Sequence, residues 1–197
     1  QITTGSENVL MGIVAGDELT TGIQNTVIGS DALGANQTGN YNTALGKGAL
    51  QVYTGSQNTA LGRSALGSCT TGASQVAVGY NALQSTTTGA SNTAVGRESG
   101  HNVTTGSDNA FFGKNSGDEV TTGGSNTLIG SNAGGAGNYS GNTYIGQQAA
   151  SNATSGNQNI AIGTIAGTDA VFNLTTESER IVMGQNDHTN AYIKIAW

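Results

Sequence analysis

Cationic and aromatic side chains recur at one position of a sequence repeat, directly after a regularly spaced glycine. Four of the six lysines and arginines of the chain occupy this position, on four of five consecutive repeats, and the fifth of these repeats carries a tyrosine. The five residues are Lys47, Arg63, Tyr80, Arg97 and Lys114. A ring between two guanidinium groups can stack on both, and a cationic strip on an acidic chain suits an anionic or hydroxyl-rich glycan. The pattern predicts a glycan- or receptor-binding site at these five residues.

A second interpretation of the same strip stays open. Long cationic side chains keep an exposed surface soluble, and charge runs are usually solvated faces. The cations could also pair with carboxylates such as Asp31 and Glu98, which follow one position further along the repeat. Exposed ion pairs of this kind contribute little to stability or recognition.

The carboxylates and histidines of the chain are weaker evidence for a functional site than the cationic strip. The pairs Asp17-Glu18 and Asp118-Glu119 occupy the same position of repeats six copies apart. Paired carboxylates serve glycosidases, but adjacent residues of an extended segment point apart, and the two pairs would lie ~29 Å from each other. We therefore predict solvated turns, no catalytic residue and no enzyme. Neither His101 nor His188 joins a cluster with metal-ligand spacing, so we expect no metal and no cofactor.

The elements that must position the cations are copies of one phrase, clearest at residues 38–46 and 54–62. It reads Thr-Gly-x-x-Asn-Thr-Ala-Φ-Gly-x-x-Ala, where Φ is apolar. We call the Φ position the pre-glycine column and the position after the glycine the post-glycine column. The closing glycines recur every 16 or 17 residues: Gly12, Gly29, Gly46, Gly62, Gly79, Gly96, Gly113, Gly130, Gly146 and Gly163.

A period of 17 residues is too short for helical repeats, which need about 33 or more. It fits one turn of a parallel β-solenoid with two short strands of about five residues. The sequence therefore predicts an all-β fold, a parallel β-solenoid or β-roll of about ten turns. Like residues of successive turns stack, so the amides are expected to form a ladder. We expect the glycines where φ is positive or a neighbouring backbone is close. The predicted ladder includes Asn25, Asn42, Asn58, Asn92, Asn109 and Asn126.

Two adjacent columns of each predicted strand are apolar. The pre-glycine column, with Leu45, is expected to face the core. The preceding residue, such as Ala44, then faces the opposite side of the strand, yet it too is nearly always apolar. A strand that is apolar on both faces is buried on both faces. We therefore predict a cyclic homo-oligomer whose subunits pack along the Ala44 column.

The composition of the chain argues against several structural and functional classes. The chain has 32 glycines, no proline, 9% charged residues and a net charge of −6. Glycine does not fall at every third residue, which excludes collagen. The acidic balance argues against nucleic acid as a partner, and no apolar run is long enough for a membrane span. One cysteine, Cys69, permits no internal disulfide.

The last stretch departs from the repeat. We predict a repeat domain at 1–167 and a terminal segment at 168–197 that either caps the solenoid or leads into a following domain. A degenerate phrase occupies 180–184, and residues 191–197 alternate like a longer strand. We expect the bridge, because the sequence stops in the middle of this alternation.

The phrase beginning Thr54-Gly and ending Ala-Leu66 resembles the repeat of many bacteriophage tail fibres and, more distantly, the head repeats of trimeric autotransporter adhesins such as YadA. Residues 180–197 resemble the segment that precedes the intramolecular chaperone of endosialidase-type tail fibres and tailspikes. The chaperone itself is absent from this sequence. The resemblance implies a trimeric, extracellular fibre segment of the virion tail that recognises a bacterial surface.

The expected function is thus a structural and host-surface-adhesion segment, with its own copies and a bacterial surface glycan or protein receptor as partners. A bacterial adhesin head on the outer surface is the alternative, although no coiled-coil heptads occur here. A polysaccharide depolymerase tailspike and an ice-binding solenoid are further alternatives. Adjacent threonine pairs such as Thr87-Thr88 do not match a flat ice-facing ladder, because their methyl groups would lie on opposite faces.

Overall fold

The computed structural model describes residues 3–168 and 173–184. These residues form a single sheet of eleven parallel strands, with each strand paired to the next along the chain and no helix among them. The strands are β1 Val9–Met11, β2 Thr26–Ile28, β3 Thr43–Leu45, β4 Thr59–Leu61, β5 Val76–Val78, β6 Thr93–Val95, β7 Ala110–Phe112, β8 Thr127–Ile129, β9 Thr143–Ile145, β10 Ile160–Ile162 and β11 Ile181–Met183.

The register places like residues over like. Thr43 pairs with Thr59, Ala44 with Ala60 and Leu45 with Leu61, and the same three positions pair throughout the sheet. Parallel strands separated by one turn of chain define a solenoid, here of about ten turns. Ten strand spacings of ~4.8 Å give a stack ~48 Å long. The predicted all-β parallel solenoid is confirmed, and the homotrimer remains a prediction.

The expected second strand of each turn is absent from the described residues, so that prediction is wrong. Each turn contains one strand of three residues, and the opposite side is a series of turns. The cause is left-handed backbone: Asp31 and Leu33 have φ of 59° and 50°, and the same two positions are left-handed in most turns. Extended strands cannot continue through such residues. Backbone hydrogen bonds still join successive turns there, as from Leu33 N to the Ala49 carbonyl at 2.9 Å.

The two apolar columns are arranged opposite to the prediction. The Ala44 column is the core: Ala44, Ala60 and Phe111 are completely buried. The pre-glycine column faces outward, with Leu45 44% exposed and Phe112 40% exposed. Both columns are apolar, so alternation alone cannot tell which faces inward. The width of the interior determines which column faces inward. Leucines of the opposite wall, such as Leu50, fill most of the narrow interior, so the strands place small alanines there.

The solenoid extends into the segment predicted as cap or bridge. Strand β11 pairs in parallel register with β10, with Ala161 opposite Val182. The predicted strand at 191–197 and His188 lie outside the described residues. Within the described part of the chain, no helix is long and apolar enough to cross a membrane.

Candidate functional site

The closing glycines orient the post-glycine column. Gly46 and Gly79 have φ of 138° and 136°, a conformation open to glycine and strained for other residues. A Cβ on Gly46 would lie 2.5 Å from the Gly62 carbonyl oxygen, so the backbones of successive turns also approach closely there. Both reasons that the sequence suggested for glycine therefore apply. The backbone turns sharply after each strand and projects the next side chain into solvent.

All five predicted binding residues lie exposed on this column: Lys47, Arg63, Tyr80, Arg97 and Lys114. At its centre, three side chains from successive turns form a stack. The Arg63 Cζ atom lies 5.6 Å from the centroid of the Tyr80 ring, and the Arg97 Cζ atom lies 6.0 Å from it. Both distances fall within the range of cation–π contacts. The ring is 40% exposed. The structure thus brings the three central residues together, and we call them the Arg63–Tyr80–Arg97 stack.

Pairing with carboxylates accounts for part of the charge. Arg97 Nη2 lies 3.1 Å from Glu98 Oε1, with the Arg97 side chain 59% exposed. Asp31 instead accepts a hydrogen bond from the Ser30 hydroxyl at 2.8 Å. Over residues 3–168 and 173–184, no ion pair within 4.0 Å involves Lys47 or Lys114. The exposed Arg97–Glu98 pair contributes little stability. It leaves Arg63 and the outer faces of the stack open to a ligand.

The predicted amides form one buried column beside the strands, which we call the asparagine ladder. Asn109 shows its geometry. Its Oδ1 accepts from the backbone N–H of Asn126 at 3.0 Å, and its Nδ2 donates to the Gly123 carbonyl of the next turn at 2.9 Å. The Asn109 side chain therefore joins neighbouring turns through the backbone, and its amide also bonds to the amides of Asn92 and Asn126. All six predicted members, namely Asn25, Asn42, Asn58, Asn92, Asn109 and Asn126, are at most 2% exposed.

Gln75 interrupts the asparagine ladder. Its longer side chain accepts from Asn92 Nδ2 at 3.1 Å through Oε1 and places Nε2 3.4 Å from the Cys69 sulfur. Cys69 is completely buried. Burial raises the pKa of the Cys69 thiol to about 11, only partly offset by hydrogen bonds to the Gly72 carbonyl and Gln75. A thiol with these properties is protonated at neutral pH and inert, so Cys69 fills the core and is no nucleophile.

The acidic pairs lie at two equivalent surface depressions. Asp118 and Glu119 border one, and Asp17 and Glu18 border the other. Asp118 Oδ1 lies 3.5 Å from His101 Nδ1. Burial raises the pKa of Asp118, the charge of His101 counteracts this, and Glu98 and Glu119 add to it. Within the described residues, no three His, Cys, Asp or Glu side chains are placed to hold a metal ion. The two carboxylate pairs remain separate, each on its own turn.

Comparison with known proteins adds no relative. The chain matches no protein-family model, no curated protein and no solved structure. One surface was not predicted from the sequence: the outward sheet face made by the first and third residues of every strand. Its signal was present as the Thr-x-Φ spacing of Thr43 and Leu45, because residues two apart on a strand share a face.

Proposed function

We propose that this chain is a rigid adhesion segment of an extracellular fibre, of the bacteriophage tail-fibre type, in which copies of the chain assemble as a homotrimer. The observation that carries the proposal is the exposed Arg63–Tyr80–Arg97 stack on the flank of an otherwise acidic rod. The repeat supplies a stiff scaffold, because hydrogen bonds join every turn to the next. Recognition is therefore assigned to the column in which the turns differ.

The chemistry of the stack selects its ligand. Two guanidinium groups present planar, bidentate donors for carboxylate or sulfate groups. The exposed edge of the Tyr80 ring adds apolar surface beside the two guanidinium groups and a hydroxyl for hydrogen bonding. Stacking on Tyr80 also holds both guanidinium groups in place, which lowers the entropy that they lose on binding. We assign the stack to an acidic bacterial surface glycan, with Lys47 and Lys114 extending the cationic strip along the rod.

The experiment compares two pairs of substitutions that remove equal charge. Arg63→Gln/Arg97→Gln dismantles the stack, whereas Lys47→Gln/Lys114→Gln removes two cations from the same column and leaves the stack intact. Binding to an array of acidic and neutral bacterial polysaccharides is measured for both, with thermal unfolding as the check on folding. We expect the arginine pair to weaken binding to acidic glycans at least 10-fold and the lysine pair to weaken it less. Equal glycan binding by the wild type and the arginine pair would contradict the assignment of the stack to an acidic glycan.

Tyr80 separates a stacked site from a purely electrostatic one. Tyr80→Ser keeps every charge but removes the ring that holds the guanidinium groups. A site that depends on the stack loses affinity in this variant, and the loss persists at high salt, because stacking is less salt-sensitive than exposed charge attraction. Affinity that falls only with added salt and is unchanged in Tyr80→Ser would indicate a nonspecific cationic strip.

A further inference from the structure

The outward face of the sheet is an uncharged surface that runs the whole length of the described solenoid. Eleven strands each contribute two outward side chains, their first and third residues, and we call this surface the seam face. None of these positions carries Asp, Glu, Lys or Arg. Met11, Leu45, Phe112, Ile129 and Ile162 are exposed on it in a single row. Exposed continuous apolar surfaces of this kind mark interaction sites.

The surroundings of the seam face have the composition of an interface rim. On one side runs the post-glycine column with Arg63 and Lys114. On the other side runs a polar column that includes Glu7, Gln24 and Asp108, all with left-handed backbone. Interfaces between proteins are depleted of charge at the centre and polar at the edge. The seam face shows this arrangement around a row of apolar side chains.

Its dimensions fit a stable association. Three residues of extended chain are ~10 Å wide, and eleven strands are ~48 Å long, which gives a face of roughly 480 Å². Including one further residue on each side widens the face to ~17 Å and its area to ~800 Å². A standard interface buries about 800 Å² on each partner. The seam face with part of its rim therefore provides the area that a stable complex needs.

The periodicity of the seam face specifies the occupant. Its ridges recur once per turn, at ~4.8 Å, along the whole row. Only a surface with the same spacing can interdigitate with such ridges over the full length, and another copy of this solenoid has that spacing. We propose that the seam face, and not the buried Ala44 column, joins copies of this chain side by side. In a parallel arrangement, Val78 of each copy meets Val78 of its neighbours, and likewise Val95.

This inference deepens the homotrimer of the proposed function and rests on it. Two variants that add the same charge test it, with molar mass from light scattering during size exclusion as the readout. Val78→Arg/Val95→Arg places two cations on the seam face, and Gln51→Arg/Ser68→Arg places two on exposed turns elsewhere. Wild type and the turn variant are expected as oligomers, and the seam variant as a single 19.6 kDa chain. A seam variant with wild-type mass would overturn the proposal.

A second experiment tests the proposal even if the seam variant fails to fold. Val95→Cys adds one outward thiol to a chain whose native Cys69 is buried, and a short bis-maleimide should then join copies covalently, whereas Ser68→Cys should not. Absence of cross-linking in Val95→Cys would contradict the seam. A monomeric wild type that inhibits ice recrystallisation would assign the face to ice instead of to a second copy. Glycan binding per chain by the monomeric seam variant keeps this test separate from that of the stack, because the stack needs only one chain.

Discussion

The Phe111 ring occupies the space that a side chain on Gly117 would take. A Cβ on Gly117 would lie 2.5 Å from Phe111 Cε1, and one on Gly100, in the preceding turn, would lie 2.7 Å from Phe111 Cδ2. Other turns hold the reverse combination, an alanine such as Ala77 with a leucine such as Leu83 opposite it, and both are completely buried. A large residue on one wall of the interior is thus matched here by a small one on the other, which keeps the core close-packed.

This exchange predicts compensation between substitutions. Phe111→Ala alone should cost about 3–5 kcal/mol through cavity formation. Gly100→Leu/Gly117→Leu should destabilise the fold by overpacking. The combined triple variant rebuilds the alanine–leucine arrangement of Ala77 and Leu83, so it should be more stable than either partial variant. Urea unfolding of all three measures this. Additive losses in the triple variant would show that the two walls are not coupled.

The glycine after each strand should be irreplaceable, unlike glycines of the outer turns. In Gly113→Ala the new Cβ would lie 2.6 Å from the Gly130 carbonyl oxygen at a φ of 133°. Strain and overlap together should cost about 2–6 kcal/mol. Gly34→Ala is the matched control, because its Cβ would meet its nearest atom, the Gln51 carbonyl oxygen, at an ordinary 3.4 Å. Thermal unfolding compares them, and equal midpoints would refute the close approach of the turns.

The asparagine ladder should make a large contribution at each turn. Asn109→Ala leaves the Asn126 N–H and the Gly123 carbonyl without their partner inside the protein. Each buried unsatisfied group costs about 1–3 kcal/mol, so we expect a loss of roughly 2–6 kcal/mol for the two groups together. Asn152→Ala, which removes an exposed amide bonded to the Thr168 carbonyl, should cost much less. A loss in Asn109→Ala no greater than in the control would assign the stability to the backbone alone.

Asp118 should make stability depend on pH. Folding raises the pKa of this carboxyl from its ordinary 3.8, mainly through burial. The folded state therefore binds the proton more tightly than the unfolded chain, and stability falls as pH rises through the raised pKa. Asp118→Asn should raise the unfolding temperature at pH 7 and leave it unchanged at pH 3. The exposed Glu18→Gln serves as the control for the loss of one charge. A gain of the same size at both pH values would contradict this origin.

The sequence predicted the solenoid because its strongest signals are local and repeated. The spacing of Gly46 and Gly62 sets one turn, and the asparagine beside most strands marks a position that only a stacked neighbour can satisfy. The strand count per turn was not predictable from hydrophobic pattern, since left-handed conformation at residues such as Leu33 and Leu66 runs against their ordinary preference. Tertiary contacts with the opposite wall outweigh that preference.

For the candidate site, too, one part could be predicted from the sequence and another could not. The cationic column followed from spacing alone, because residues one turn apart must stack in a solenoid. The orientation of the two apolar columns did not follow, since Ala44 and Leu45 are both apolar and their burial depends on the width of the interior. That one difference moved the expected contact between chains from the Ala44 column to the seam face. The post-glycine column differs from turn to turn, as at Ile13, Tyr80 and Gln147, because the repeat alone sets no requirement there.

The molar mass of the unmodified chain in solution, measured by light scattering over a dilution series, tests the central claim most directly. An uncharged face with a row of apolar side chains along the described solenoid should hold copies of the chain together. We predict a mass of three chains that persists on dilution to low micromolar concentration. A stable mass of 19.6 kDa at every concentration, with the sheet intact by circular dichroism, would contradict the account.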